Sequence, residues 1–203
     1  MGFPEPDLTY LGDLEGSLPP STHLDVARGY LGAYRPTADR QADFRRRIMA
    51  FVDEHPEDAH RRTCREGHLT ASGLVVDASL SRVLLLHHRK LDRWLQPGGH
   101  CDGDAELAGV ALREATEESG MEGLRVAPRI IDLDVHEIPP YGDVPAHLHF
   151  DCRFVVVAPA DAEPKVSDEH HALAYLPWDE ALERAGDESV RRLIRVVRGI
   201  AIR

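Results

Sequence analysis

The spacing of hydrophobic and polar positions changes along the chain, and each change predicts an element. Between residues 37 and 55, apolar residues recur at i, i+4, i+7 and i+8, the spacing of one helical face. They are Phe44, Ile48, Phe51 and Val52. This pattern predicts an amphipathic helix within a helical arm at 21–65. Residues 1–20 show little periodicity and contain four prolines, so we expect an extended lead-in there.

Short apolar runs typical of strands follow. Residues 68–78 and 82–90 predict a hairpin, and the glycine-rich segment 94–104 predicts a loop. Further strands are predicted at 124–138, 147–158 and 171–178, and helices at 105–119, 179–186 and 188–200. This order predicts an α/β fold, an α/β/α sandwich with a mixed β-sheet. We divide the chain into an N-terminal extension with a helical arm (1–65) and a main domain (66–203).

Composition narrows the class of protein. The net charge of −11 argues against a general nucleic-acid partner, which would need a basic surface. No apolar run is long enough to span a bilayer, and the N-terminus lacks the pattern of a signal peptide, so we expect no membrane partner. Three cysteines without a CxxC pair fit a reducing compartment, and we expect a cytoplasmic protein.

Candidate chemistry begins with the stretch ALREATEESGM at 111–121. In a helix, Glu114, Glu117 and Glu118 share one face, where like charges repel one another. A hard divalent cation would relieve this repulsion, and Mg²⁺ and Mn²⁺ prefer carboxylate oxygens. The alternative is a solvated acidic face without a ligand.

The segment 98–121 resembles the Nudix box, G-x5-E-x7-R-E-U-x-E-E-x-G-U, in which U is apolar. Gly99 falls on the first glycine of that pattern. The residues that match its second half are Arg113, Glu114, Ala115, Glu117, Glu118, Gly120 and Met121. The order of strands around the box is also similar to the Nudix fold. The resemblance therefore predicts a Nudix-like domain at 66–203.

The resemblance implies hydrolysis of a pyrophosphate bond in a nucleoside diphosphate linked to another moiety. The cofactor would be Mg²⁺ or Mn²⁺, held by Glu114, Glu117 and Glu118 with the carbonyl of Gly99. Arg113 would orient a glutamate, and Glu117 lies one turn away.

The general base in the family is either a box glutamate, here Glu117, or a residue in the loop before the last strand. In this chain Glu169 best matches the loop position, with Asp168 and His170 as competitors. The alternative is that this segment is an ordinary exposed loop without a catalytic residue.

One position departs from the family pattern. The first glutamate of the box is replaced by Ala105, which is flanked by Asp104 and Glu106. Either neighbour serves in its place, or the role is lost.

Histidines form a second cluster of candidates. Asp134 and His136 alternate with apolar residues in one strand, and His147 and His149 do so in another. A hairpin that turns symmetrically near Tyr141 would pair His136 with His147 and Asp134 with His149. These three histidines would contact substrate or hold a second metal, or they lie on an ordinary hydrated face. His100, inside the box, is a further candidate for phosphate contact.

Two other functions remain open. A non-catalytic Nudix-like module would sense a nucleotide, and isopentenyl-diphosphate isomerase shares the fold but uses a catalytic cysteine. The partner we expect is a small-molecule nucleotide or diphosphate, whose identity the sequence leaves open. The arm either packs on the main domain or forms a homodimer contact.

Overall fold

The computed structural model describes residues 11–165 and 170–201 of the chain. Its helices are α1 (Leu24–Ala33), α2 (Asp39–Glu54), α3 (Leu107–Ser119), α4 (Trp178–Arg184) and α5 (Glu188–Ala201). Its strands are β1 (Gly67–Val76), β2 (Arg82–His88), β3 (Arg93–Leu95), β4 (Gly98–His100), β5 (Arg125–Val126), β6 (Asp132–Ile138), β7 (His147–Val157) and β8 (His170–Pro177). No helix in these ranges is long and apolar enough to cross a membrane.

The strands form one mixed sheet centred on β1. The order along the sheet is β3-β2-β1-β7-β5, while β4 also pairs with β1, β6 with β7, and β8 with β2. β1 and β7 are parallel along their whole length, from Gly67 opposite Leu148 to Val76 opposite Val157. The other pairs are antiparallel.

Helices cover both faces of this sheet. Leu69 and Phe154 lie on the face that packs against α1, α2 and α3. Leu74 and Val155 lie on the face that packs against α4 and α5. This arrangement confirms the predicted α/β/α fold with N-terminal helices. Leu31 of α1 and Ile48 of α2 belong to the same core as the sheet, so the arm packs on the main domain. The boundary at residue 66 stays a prediction.

Two predicted elements are wrong in detail. The segment 94–104 contains the short strands β3 and β4 rather than a loop alone. Glycine permits this, because a Cβ added at Gly98 would collide with Ser72 of the paired strand β1. The strand predicted at 124–138 is divided into β5 and β6, with Pro128 between them. Proline has no backbone N–H to donate to a ladder, which favours the interruption.

Candidate active site

The helix α3 has an apolar side and an acidic side. Its apolar side is buried in the core through Leu107, Val110, Ala111 and Ala115. Gly120 ends the helix in the left-handed conformation, with φ of 63°. This backbone conformation favours glycine and confirms the predicted end of the helix. The burial of one side fixes the direction of the other, which carries the glutamates.

The acidic side of α3 faces the glycine strand β4. The backbone N–H of Gly98 donates a hydrogen bond to Glu118 Oε2 at 2.8 Å. Gly99 lies so close to Glu114 that an added Cβ would collide with its carboxylate. Glu114 and Glu118 are half-buried, whereas Glu117 is exposed. The strand and the helix thus bring carboxylate oxygens and backbone together at an edge open to solvent.

Arg113 connects the box glutamates to β4. Its Nη2 donates to the carbonyl of His100 at 3.1 Å and to Glu114 Oε1 at 3.2 Å. The glutamate that Arg113 contacts is therefore Glu114, not Glu117 as the one-turn spacing predicted. Burial raises the pKa of Glu114, and the opposing hydrogen bond and charge of Arg113 only partly offset it.

The two residues that flank Ala105 take different roles. Asp104 Oδ1 accepts hydrogen bonds from the backbone N–H groups of Ser21 and Glu106, each at 2.9 Å. Asp104 Oδ2 lies 3.7 Å from Arg113 Nη1. Glu106 instead accepts a hydrogen bond from the hydroxyl of Tyr30 in α1. Asp104 is thus the neighbour whose carboxylate lies beside the box arginine.

The predicted general base Glu169 and its competitor Asp168 lie outside the described residues. The other competitor, His170, begins β8 and is buried. Its Nε2 lies 3.8 Å from Glu118 Oε1. The start of β8 is therefore beside the box.

The β6–β7 hairpin pairs its histidines differently from the prediction. His136 lies opposite His149, and Asp134 opposite Asp151, a shift of two residues. The cause is the turn, in which Tyr141 and Val144 exchange hydrogen bonds of 3.0 Å. Two residues then form the turn, and the first, Gly142, has φ of 58°. Because the shift is even, the predicted side chains still share one face.

His68 joins these histidines and was not predicted. It lies on β1 directly beside His149 of β7, and His100 of β4 pairs with the nearby Thr70. Its ring centroid is 5.0 Å from those of His100 and His147 and 4.9 Å from that of His149. The alternation of His68, Thr70 and Ser72 in a predicted strand was the available signal, because it marks a polar face. We call His68, His100, His136, His147 and His149 the histidine patch.

Burial keeps the inner imidazoles of the patch neutral. Burial, followed by the charges of the neighbouring histidines, lowers the pKa of His149 to about 2. Burial together with the charge of Arg62 lowers the pKa of His100 to about 4. The pKa of His68 is also lowered, again mainly by burial. Each of these rings is thus neutral near pH 7, with one of its two nitrogens free of a proton.

A buried ion network lies next to the patch on the same face of the sheet. Arg153 Nε donates to Asp151 Oδ2 at 2.8 Å, and its Nη1 donates to Asp132 Oδ2 at 3.3 Å. Its Nη2 lies 3.5 Å from Asp134 Oδ2. Arg192 of α5 donates to Asp132 at 3.1 Å and to Asp134 at 2.8 Å. Three aspartates are thus held by two arginines.

One cavity lies apart from these groups. A cavity of about 530 Å³ lies between α1 and α5, lined by residues that include Tyr34, Arg35 and Ile200. It contains none of the predicted site residues. Cys101 is buried, and burial raises its pKa. A buried thiol with a raised pKa is a poor nucleophile, which argues against the catalytic cysteine of an isomerase.

The chain is similar to several solved structures. An Ap4A hydrolase of C. elegans, in a binary complex, is 17% identical over 63% of this chain and 93% of its own, with a TM-score of 0.51. A NUDIX-family hydrolase from Clostridium perfringens is 21% identical over 67% of this chain and 97% of its own, with a TM-score of 0.47. The E. coli dihydroneopterin triphosphate pyrophosphohydrolase is 19% identical over 68% of this chain and 96% of its own, with a TM-score of 0.47.

We also compared the sequence with curated proteins and with models of protein families. No curated protein matches the chain. The model of the NUDIX domain matches residues 67–197, more than half of its length. That range contains the strand β4 and the helix α3 with its three glutamates. The chain therefore belongs to the Nudix family.

Proposed function

We propose that the chain is a metal-dependent hydrolase of a pyrophosphate bond in a nucleoside diphosphate linked to another moiety. Membership of the Nudix family supports a pyrophosphohydrolase. The observation that carries the proposal is the approach of the α3 glutamates to β4, at a glycine where any side chain would collide with Glu114.

The donor set at this edge fits Mg²⁺ or Mn²⁺. Glu114, Glu117 and Glu118 supply carboxylate oxygens, and the carbonyl of Gly99 would supply another, all of the type that these hard cations prefer. When bound, the cation would supply positive charge against the oxygens of the pyrophosphate. In this proposal position 99 must be glycine, because the absence of a side chain lets the backbone carbonyl and the carboxylates reach one ion.

The remaining groups position these ligands. The N–H of Gly98 holds Glu118 in place by its hydrogen bond. Arg113 ties Glu114 to the carbonyl of His100 on β4. We assign to Asp104 the supporting role of the missing box glutamate, because its carboxylate lies beside Arg113.

A proton acceptor must serve the attacking water. We propose Glu169 for this role, as the family pattern implies. The position of His170, the next residue in the chain, beside Glu118 supports this assignment. Asp168, His170 and Glu117 are the alternatives. Replacement of Asp168 by asparagine and of the other three residues by glutamine would separate the four.

We propose that the histidine patch forms part of the substrate site. The patch includes the four histidines predicted to contact substrate, and His100 connects it to the box through Arg113. His136 is exposed and His147 is half-buried, so both are accessible to a bound molecule. His149 and His100 lie deeper, beside His68.

The test is turnover of a panel of nucleoside diphosphate derivatives, followed by chromatography of the nucleoside monophosphate released. Reactions contain Mg²⁺, Mn²⁺ or a chelator. We expect metal-dependent turnover that Glu117→Gln lowers by about 10²–10³-fold, since loss of several kcal/mol of charge stabilisation has this effect. Glu122→Gln is the matched control, because Glu122 is an exposed glutamate just beyond the box.

Two results would contradict the proposal. Turnover in the presence of chelator that Glu117→Gln leaves unchanged would exclude a metal-dependent box. Binding of Mn²⁺ without turnover of any panel member would favour the sensor function, with the change at Ala105 as a loss of activity.

A further inference from the structure

The histidine patch is built from four strands. β1 supplies His68, β4 supplies His100, β6 supplies His136, and β7 supplies His147 and His149. The rings of His100 and His149 are 5.0 Å apart and nearly perpendicular, and those of His147 and His149 are 5.2 Å apart. Imidazoles packed this closely would repel one another if protonated, so the arrangement suits neutral rings.

Three of these side chains bring ring nitrogens close to one another. One ring nitrogen from each of His68, His100 and His149 lies within 4.8 Å of the other two. His68 is 4% exposed, and the other two are half-buried. We propose that His68, His100 and His149 form a second metal site, for a divalent transition metal of the Zn²⁺ class.

The hydrogen bonding of these rings supports a ligand role. Nε2 of His149 is buried and has no hydrogen-bond partner among the described residues. A buried polar atom without a partner destabilises the fold, and a bond to a metal would remove this cost. Neither ring nitrogen of His68 makes a hydrogen bond of normal geometry within the part of the chain that the structure describes.

The chemistry of the ligands separates this site from the box. Imidazole nitrogen suits Zn²⁺, Co²⁺ and Ni²⁺, whereas the box offers oxygen donors that suit Mg²⁺ and Mn²⁺. The two donor sets lie on opposite faces of β4. Gly99 faces Glu114 on the α3 side, and the neighbouring residue His100 faces the histidine patch.

Three protein ligands leave a tetrahedral metal with one open position. His100 and His149 are partly accessible, so we place that position toward solvent and the proposed substrate site. Arg62 lies near enough to lower the pKa of His100, but it is paired with Asp102 at 2.6 Å. That pairing offsets the charge that would otherwise repel a cation.

Co²⁺ is the probe. Four-coordinate Co²⁺ gives strong visible absorption bands, whereas Co²⁺ held by the oxygen ligands of the box does not. The protein is titrated with Co²⁺ in excess Mg²⁺, which occupies the box. We expect one equivalent of Co²⁺ with these bands in wild type and in Glu117→Gln. We expect His149→Gln and His100→Gln to remove the bands. The control His171→Gln, at an exposed histidine on β8, should retain them.

A second measurement uses wild-type protein, so misfolding of a variant cannot affect it. X-ray absorption at the zinc edge of wild-type protein with one equivalent of Zn²⁺ should show a nitrogen-rich shell with imidazole scattering. A shell of oxygen alone would overturn the proposal. So would sulfur, because it would place the metal at the other candidate cluster, His55, Asp58 and Cys64. Bands that persist in His149→Gln would also overturn it. None of these readouts uses activity, so they are independent of the proposed hydrolase.

Discussion

The molecule contains two groups of three carboxylates, and they are neutralised in different ways. Asp132, Asp134 and Asp151 are buried and held by two arginines. Glu114, Glu117 and Glu118 lie at an open edge, where Arg113 contacts Glu114.

The comparison shows which of the two carboxylate groups can bind a cation. Each aspartate is already paired with a buried or half-buried guanidinium group, so these carboxylates act in the stability of the fold. The glutamates are gathered by helical spacing and a glycine strand, but their charge exceeds what Arg113 neutralises. An added cation is the natural complement of the second group alone.

Removal of Arg153 should test the first group with the largest effect. Arg153→Met leaves three buried aspartates near one another, and loss of one partner of a buried ion pair costs about 3–5 kcal/mol. We expect this decrease in the free energy of unfolding, measured by urea denaturation at pH 7.

The matched control is Arg62→Met, since Arg62 forms an ion pair with Asp102 in which both side chains are about half exposed. An exposed pair contributes about 0–1 kcal/mol. Equal losses in the two variants would show that the buried network does not stabilise the fold as described.

Low pH should reduce the stability that the buried aspartates contribute to the fold. Burial alone would raise the pKa of Asp134, but a hydrogen bond with His136 and the charge of Arg153 hold it well below the usual 3.8. A lowered pKa in the folded state gives stability that is present above pH 3.8 and lost as pH falls below it. The slope for one group is at most about 1.4 kcal/mol per pH unit.

Urea midpoints between pH 6 and 2 would measure this loss. We expect Asp134→Asn to show a shallower decrease below pH 4 than wild type. Equal slopes would mean that the Asp134 carboxyl titrates alike in the folded and unfolded states.

Asp104 and Glu106 provide a smaller test, at the box itself. Asp104→Asn removes the charge beside Arg113, and loss of such an outer contact lowers activity by about 10–100-fold. We expect a decrease near the lower end, in kcat, because the distance to Arg113 is 3.7 Å. Glu106→Gln should instead change stability through Tyr30 and leave kcat within about twofold. The reverse result would assign the missing role to Glu106.

The smallest effect concerns repulsion within the box. Glu117→Gln removes a charge one turn from Glu114, which should raise stability by about 0.2–0.5 kcal/mol in chelator. With Mn²⁺ present, wild type should become the more stable of the two, because the variant has lost a ligand. Thermal unfolding under both conditions would measure the difference. A variant that is no more stable than wild type in chelator would indicate that the repulsion is negligible.

Local patterns predicted the box well. The spacing of Glu114, Glu117 and Glu118 depends only on one helix, and Gly120 marks its end. The fold class followed from the alternation of apolar runs. Both predictions rest on patterns within single elements and on the order of those elements, where propensity and periodicity are informative.

The histidine patch could be predicted only in part. The shared face of His136 and His149 follows from alternation along the strands, but their register depends on which residues form the turn. Gly142 accepts a positive φ, and its position in the turn shifts the pairing by two residues. His68 joins the patch through the parallel pairing of β1 with β7, which no local pattern specifies.

The separation of these contacts along the chain also bears on the order of folding. Gly98 and Glu118, which close the box, are 20 positions apart. Thr70 and Asp151, which bond across β1 and β7 next to the histidines, are 81 positions apart. Closing a longer loop costs more entropy and slows folding. During synthesis the box can therefore assemble while β7 is still absent, and the histidines meet only near the end of the process.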